Sequence, residues 1–145
     1  MDNDRVVLHV EDDDAAAYLF RVALEEANIR AVVYRVSDGE QALAFLHHRH
    51  PYEHAPRPCV AIIDLNLPRV DGWTVLTEVQ KDSIPAIVVT TSSVRSDRTR
   101  ALSVGAVAYV VKSNSFDDFV REVKTAFAIH LPDWPQMHQE SMTIP

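Results

Sequence analysis

Cysteine is nearly absent from this sequence. Cys59 is the only one in 145 residues, so no internal disulfide can form, and a reducing compartment is the natural expectation. Cys59 adjoins an apolar run, and a buried, inert thiol is expected there. Glycine is scarce too, with three in the chain. None follows the first apolar run, which excludes a glycine-rich nucleotide cradle of the Walker or Rossmann kind. Positive charge is in deficit: 14 Lys and Arg against 21 Asp and Glu give a formal charge of −7. That argues against nucleic acid, whose binding energy comes largely from cations on phosphates, and against an anionic membrane surface. A thin basic cluster, Arg95, Arg98 and Arg100, reads as a solvated helix face. No apolar run is long enough to span a bilayer. The opening MDNDR lacks the basic start and apolar stretch of a secretory leader. A soluble, cytoplasmic protein is expected.

What is present is a core. Hydrophobic residues make up 47% of the chain, enough for one globular domain at this length. Five short Val- and Ile-rich runs read as strands: Arg5–Val10, Arg30–Val36, Cys59–Ile63, Ala86–Thr90 and Val107–Val111. Nearly continuous apolar runs suit strands buried on both faces of a parallel sheet. Helical stripes separate them, beginning with Ala16, Leu19, Phe20, Ala23, Leu24 and Ala27. Asp38 with Gln41 opens a second helix like a capping box. Val75, Leu76 and Val79 supply a third stripe, and Ala101, Leu102 and Val104 a fourth, closed by Gly105. Ser115 with Asp118 caps the last, whose stripe is Phe116, Phe119, Val120, Val123 and Phe127. All five stripes are expected to be core. The alternation is (βα)5, which predicts an α/β fold with a doubly wound parallel sheet.

In such sheets the site lies at the carboxyl ends of the strands, near the point where strand order reverses. The first strand ends in Glu11, Asp12, Asp13 and Asp14, the third in Asp64, Leu65 and Asn66, the fourth in Thr90 and Thr91, and the fifth in Lys112. Asp13 and Asp14 precede a helix and read as caps. The other carboxylates would repel: one like-charged pair at roughly 4 Å and an effective dielectric near 20 costs about 4 kcal/mol. Lys112 offsets part of this, and a hard divalent cation, Mg²⁺ or Mn²⁺, is the natural remainder. An Asp beside a metal and an ammonium is a nucleophile toward phosphorus, because carboxylates form aspartyl phosphates, while the two cations neutralise the transferring oxygens.

The segments VEDD (Val10–Asp13), DLNLPRVDG (Asp64–Gly72), VVTTS (Val88–Ser92) and YVVKS (Tyr109–Ser113) together resemble the receiver domain of two-component response regulators. The resemblance covers roughly Arg5 to His130 and implies a flavodoxin-like receiver fold. It implies that Asp64 is the phosphoacceptor and that Asp12 and Asp64 bind Mg²⁺ directly. Glu11 would act through water and Asn66 through its carbonyl. Thr90 would be the switch hydroxyl, with the Thr91 amide facing the phosphoryl group. Lys112 would be the salt-bridging lysine and Tyr109 the aromatic switch. Such a protein is not an enzyme in the ordinary sense; it catalyses only its own phosphorylation and dephosphorylation. In one respect the sequence departs from the family: proline usually follows the lysine, often with a cis bond, and here Ser113 stands instead. A non-proline cis bond costs about 3 kcal/mol, so a trans bond or visible strain is expected.

A narrower resemblance, to the small regulators paired with bacterial phytochrome kinases, rests on the long Arg49–Pro58 loop, Thr90–Ser92, Lys112–Ser113 and the TIP ending. It implies a phytochrome histidine kinase as partner, and a histidine phosphotransfer protein is a further candidate. The expected organisation is a receiver over residues 1–130 and an extension over 131–145. Leu131, Trp134, Met137 and Ile144 in that extension are costly to leave in water, and they suggest an arm that pairs two copies into a homodimer. Two other classes compete. A phosphohydrolase with an Asp nucleophile would place a second Asp where Asn66 stands, and would carry a cap domain. A flavodoxin-like cofactor module would need a hydroxyl- or glycine-rich loop where Glu11–Asp14 stands. His47 and His50 share a possible helical face, but they sit where cations are favourable anyway, and no metal is assigned to them.

Overall fold

The computed structural model describes residues 5–135. Strands β1 (Arg5–Val10), β2 (Ala31–Val36), β3 (Val60–Ile63), β4 (Ala86–Thr90) and β5 (Ala108–Val111) alternate with helices α1 (Asp14–Glu26), α2 (Gly39–Leu46), α3 (Gly72–Lys81), α4 (Arg95–Val104) and α5 (Phe116–His130). The strands pair in parallel in the order β2-β1-β3-β4-β5. Burial accounts for the sequence pattern. Every residue of the inner strands β3 and β4 is buried, as their continuous apolar runs require. The edge strand β2 alternates, leaving Val32 and Tyr34 exposed. Three strands start one residue later than the pattern suggests. Arg30 spends its amide on the Pro135 carbonyl, while Cys59 and Val107 still donate to Val6 and Ala86 at the frayed end of the ladder.

Two hydrophobic layers sandwich the sheet. Helices α2, α3 and α4 close over Leu8, Val10, Ile63 and Val88 on one face. Helices α1 and α5 close over Val7, Ile62, Ile87 and Val89 on the other. Asp13, Asp38 and Ser115 cap α1, α2 and α5 as expected, accepting from the amides of Ala16, Gln41 and Asp118. Asp14 is the first residue of α1 and pairs with Arg35 instead. Gly105 ends α4.

Four expectations are corrected. In α4 only Ala101 is buried and Leu102 is 41% exposed, so that stripe is not core. Cys59 is only partly buried. The arginines of α4 are exposed but not merely solvated: Arg100 lies 3.9 Å from the Trp73 ring centroid, and Arg98 donates to the Tyr109 carbonyl. In α1 Leu19 is 46% exposed and also lies off the core. In the Arg49–Pro58 loop Tyr52 lies tilted against Phe45, and Ala55 meets the core. Trp134 also finds its place within the chain. It is 8% exposed, lies edge-on to Phe127 and donates its indole N–H to the Arg30 carbonyl at 2.8 Å. Met137 and Ile144 lie outside the described residues. Among the described residues no helix is long and apolar enough to cross a membrane.

Candidate functional site

Strand order reverses between β1 and β3. The chain steps outward from β1 to β2, then returns to the other side of β1. Val10 is in register with Ile63, and the Asp64 amide donates to the Val10 carbonyl. The next residue of each strand, Glu11 and Asp64, therefore emerges side by side at the crevice that such a reversal opens. On the other flank Thr90 is in register with Val111, and the Lys112 amide donates to the Thr90 carbonyl at 2.7 Å. Lys112 thus leaves β5 level with the two acids.

Its ammonium bridges them. Nζ lies 2.7 Å from Glu11 Oε1 and 2.9 Å from Asp64 Oδ2. The other Asp64 oxygen accepts from the Asn66 amide at 3.0 Å. Glu11 and Asp64 are 2% and 7% exposed, whereas Asp12 faces solvent. One carboxylate oxygen from each of Glu11, Asp12 and Asp64 can lie within 4.8 Å of the others. The structure thus brings together three of the four residues that the sequence offered as metal ligands. Asn66 follows at the same strand end, tied to Asp64 through its amide.

Burial pushes the Glu11 carboxyl above its ordinary range, against the pull of the Lys112 ammonium. Burial alone would lower Lys112, but the hydrogen bonds and charges of Glu11 and Asp64 outweigh it and hold Lys112 above its usual value. The ammonium therefore stays charged at neutral pH. A cluster of hard oxygen donors with a single internal cation fits a divalent cation such as Mg²⁺. Asp12 is the solvent-exposed member of the cluster.

The loop after Asp64 has little freedom. At Gly72 a Cβ would overlap the Asp64 carbonyl oxygen, and at Gly39 one would overlap the Val70 carbonyl oxygen. Only glycine lets α3 and α2 begin this close to the loop. Arg69, at φ 64°, ties the loop to Asp38 and Glu40. Across the site Thr90 is fully buried, and the Ser92 amide points at its hydroxyl from 3.5 Å. Thr91 is exposed at the start of the following loop. Tyr109 is inward, 6% exposed, with its hydroxyl donating to the Ser92 carbonyl at 2.9 Å. The Lys112–Ser113 bond is trans; among the described residues the cis peptide bond is His50–Pro51.

Sequence reasoning passed over two residues. His9 is 2% exposed and lies tilted against Phe20, with ring centroids 4.4 Å apart. Burial, then the charges of Lys112, Arg35 and Arg21, lower its pKa to about 3. A polar residue inside an otherwise apolar strand was the available signal. Arg35 is the other, at the end of β2, where it reaches under the acidic loop to the Glu11 carbonyl and Asp14. His47 and His50 do not share a site: they pair with Glu78 and Glu53 respectively.

The response regulator receiver domain family model matches residues 7–124. Response regulator Rcp1 of Synechocystis sp. is 34% identical over 124 residues, spanning 83% of this chain and 84% of that protein. Its Mn²⁺-bound crystal structure superposes with a TM-score of 0.79, covering 91% of this chain and 98% of that one at 32% identity. The phosphorylated cyanobacterial phytochrome response regulator RcpA gives a TM-score of 0.80 at 29% identity, over 92% and 98% of the two chains. The bacteriophytochrome response regulator RtBRR gives 0.73 at 34% identity, over 97% and 89%.

Proposed function

This chain belongs to the response regulator receiver family, a family of signalling switches, and we propose that its switch is thrown by phosphorylation of Asp64. The observation that carries the reading is the Lys112 ammonium, held between Asp64 and Glu11 at the crevice between β1 and β3. The Asp64 carboxylate attacks the phosphorus of a phosphohistidine; the new O–P bond forms as the P–N bond breaks and the imidazole leaves. Lys112 lies ready to pair with the arriving oxygens. Glu11, Asp12, Asp64 and the Asn66 carbonyl are the groups to hold Mg²⁺ or Mn²⁺, which when bound supplies further positive charge to the phosphoryl oxygens.

The phosphoryl group adds about −1.5 to −2 charges. The Thr90 hydroxyl, at the end of β4, and the Thr91 amide, just after it, are the donors to meet it. Tyr109 would rearrange as Thr90 moves, shifting the population between two packings of the α4–β5 face. The phosphodonor we propose is a bacterial phytochrome histidine kinase, with a histidine phosphotransfer protein as a further partner. This rests on the likeness to regulators named for phytochromes over nearly the whole chain.

Incubation with a small phosphodonor and Mg²⁺ is expected to add one acid-stable, base-labile phosphoryl group per chain. Asp64→Asn is expected to add none; the same mass gain in that variant would refute the assignment. We also propose a homodimer in which residues 131–145 take part, although Trp134 is already occupied by Phe127 and Arg30. Removal of residues 131–145, with mass read by light scattering, is expected to yield monomer; an unchanged dimer would exclude the extension.

A further inference from the structure

Arg35 lies at the end of the edge strand β2, one residue before Val36, whose carbonyl accepts from the Glu11 amide at 3.0 Å. Its guanidinium is spread beneath the acidic loop. Nε donates to the Glu11 carbonyl at 2.9 Å, and Nη1 pairs with Asp14 at 2.7 Å. Nη2 is buried with no partner among the described residues. Burying a guanidinium N–H without an acceptor is unfavourable, and an arginine with no task at the loop would turn that nitrogen to water. The ion pair with Asp14 does not explain the arrangement, since Asp14 is 94% exposed and such pairs contribute little.

The bond to the Glu11 carbonyl does explain it. That carbonyl belongs to the peptide joining Glu11 to Asp12, so fixing it fixes the plane from which Asp12 departs. Glu11 is then gripped at three points: its amide by Val36, its carbonyl by Arg35 and its carboxylate by Lys112. Asp12, the exposed member of the carboxylate cluster, has no side-chain anchor of this kind among the described residues. We propose that Arg35 is a positioning residue for the divalent-cation site, holding the Glu11–Asp12 peptide so that Asp12 completes the cluster with Asp64. The inference rests on the cation-binding reading above. Two physical effects of Arg35 oppose each other. Its positive charge repels a cation, while its hydrogen bond orders a ligand. The proposal is that ordering dominates.

Free Mn²⁺ gives a sharp electron paramagnetic resonance signal that is lost on binding, so affinity is read without phosphorylation. Arg35→Met keeps the stem and removes donors and charge. It is expected to raise the Kd for Mn²⁺ by about tenfold, the lower end for loss of an outer-shell partner. Arg35→Lys keeps the charge but loses the planar fork, and is expected to fall between the wild type and Arg35→Met. Asp14→Asn removes only the exposed ion pair and is expected to bind like the wild type. Unchanged or tighter binding by Arg35→Met, the result charge removal alone would give, overturns the proposal, as does Asp14→Asn weakening binding as much as Arg35→Met. Should Arg35→Met not fold, Arg35→Lys decides: wild-type affinity there overturns the proposal, and weaker binding upholds it. A wild-type chain that binds no Mn²⁺ refutes the cation site itself and the positioning role with it, whereas wild-type binding with no Arg35 effect refutes the positioning role alone.

Discussion

Helix α5 buries Phe119, Val123, Ala126 and Phe127 and is capped by Ser115, whereas α4 buries only Ala101 and follows Val94, which gives it no side-chain cap. The helices flank the same edge strand, β5, yet one is fixed to the sheet by apolar packing and the other chiefly by polar ties. Those ties run through Tyr109, the proposed aromatic switch. Ser92 donates to Asp97, Arg98 donates to the Tyr109 carbonyl, and Tyr109 donates to the Ser92 carbonyl. The acceptor side has the opposite character, with Glu11, Asp64 and Lys112 locked together above a packed core. The contrast teaches a division of labour. Phosphoryl chemistry needs reacting groups held in place, and a switch needs an element whose two packings differ little in free energy.

The largest expected effect separates the two packing regimes directly. Phe20, on α1 and 1% exposed, packs in the same layer as α5. Phe20→Ala is expected to cost about 3–5 kcal/mol of unfolding free energy. Leu102→Ala on α4 is expected to stay within about 0.5 kcal/mol. Chemical denaturation measures both, and comparable losses would erase the distinction.

A smaller effect probes the polar flaw in the packed face. His9 is neutral in the folded protein, with its pKa lowered to about 3 by burial and nearby cations. Between an unfolded value near 6.5 and that folded value, the unfolded chain binds a proton the native state excludes. Stability is therefore full above about 6.5 and falls as pH drops, by about 1.4 kcal/mol per pH unit at the steepest. His9→Leu is expected to remove that slope, taken as a difference from the wild type. Equal slopes in both proteins would show that His9 titrates freely.

The legibility of these features follows the same division. Periodicity revealed the strands because burial on both faces forces Val and Ile into continuous runs. The cluster was legible because strand ends align in a parallel sheet, so residues following each run share a rim. Packing depth was not legible. Leu102 and Val123 occupy similar stripes, and only the side of each helix that meets the sheet distinguishes them: Val123 is buried, while Leu102 stands off the face that buries Ala101. Arg35 was hidden for a different reason. Its partner is a backbone carbonyl, which carries no sequence mark, on a residue 24 positions away. Trp134 was read as an arm residue because its partners, Phe127 and Arg30, come together only when α5 lies against α1.

Amide hydrogen exchange followed with and without a phosphodonor tests the division most directly. In the resting protein, residues 98–104 of α4 are expected to exchange well before 119–127 of α5. On phosphorylation the change should concentrate between residues 90 and 111 and leave α1 almost unaltered. Equal protection of α4 and α5 at rest, or a phosphorylation response spread evenly over α1 and α5, would contradict a fixed acceptor frame coupled to a loosely held switch.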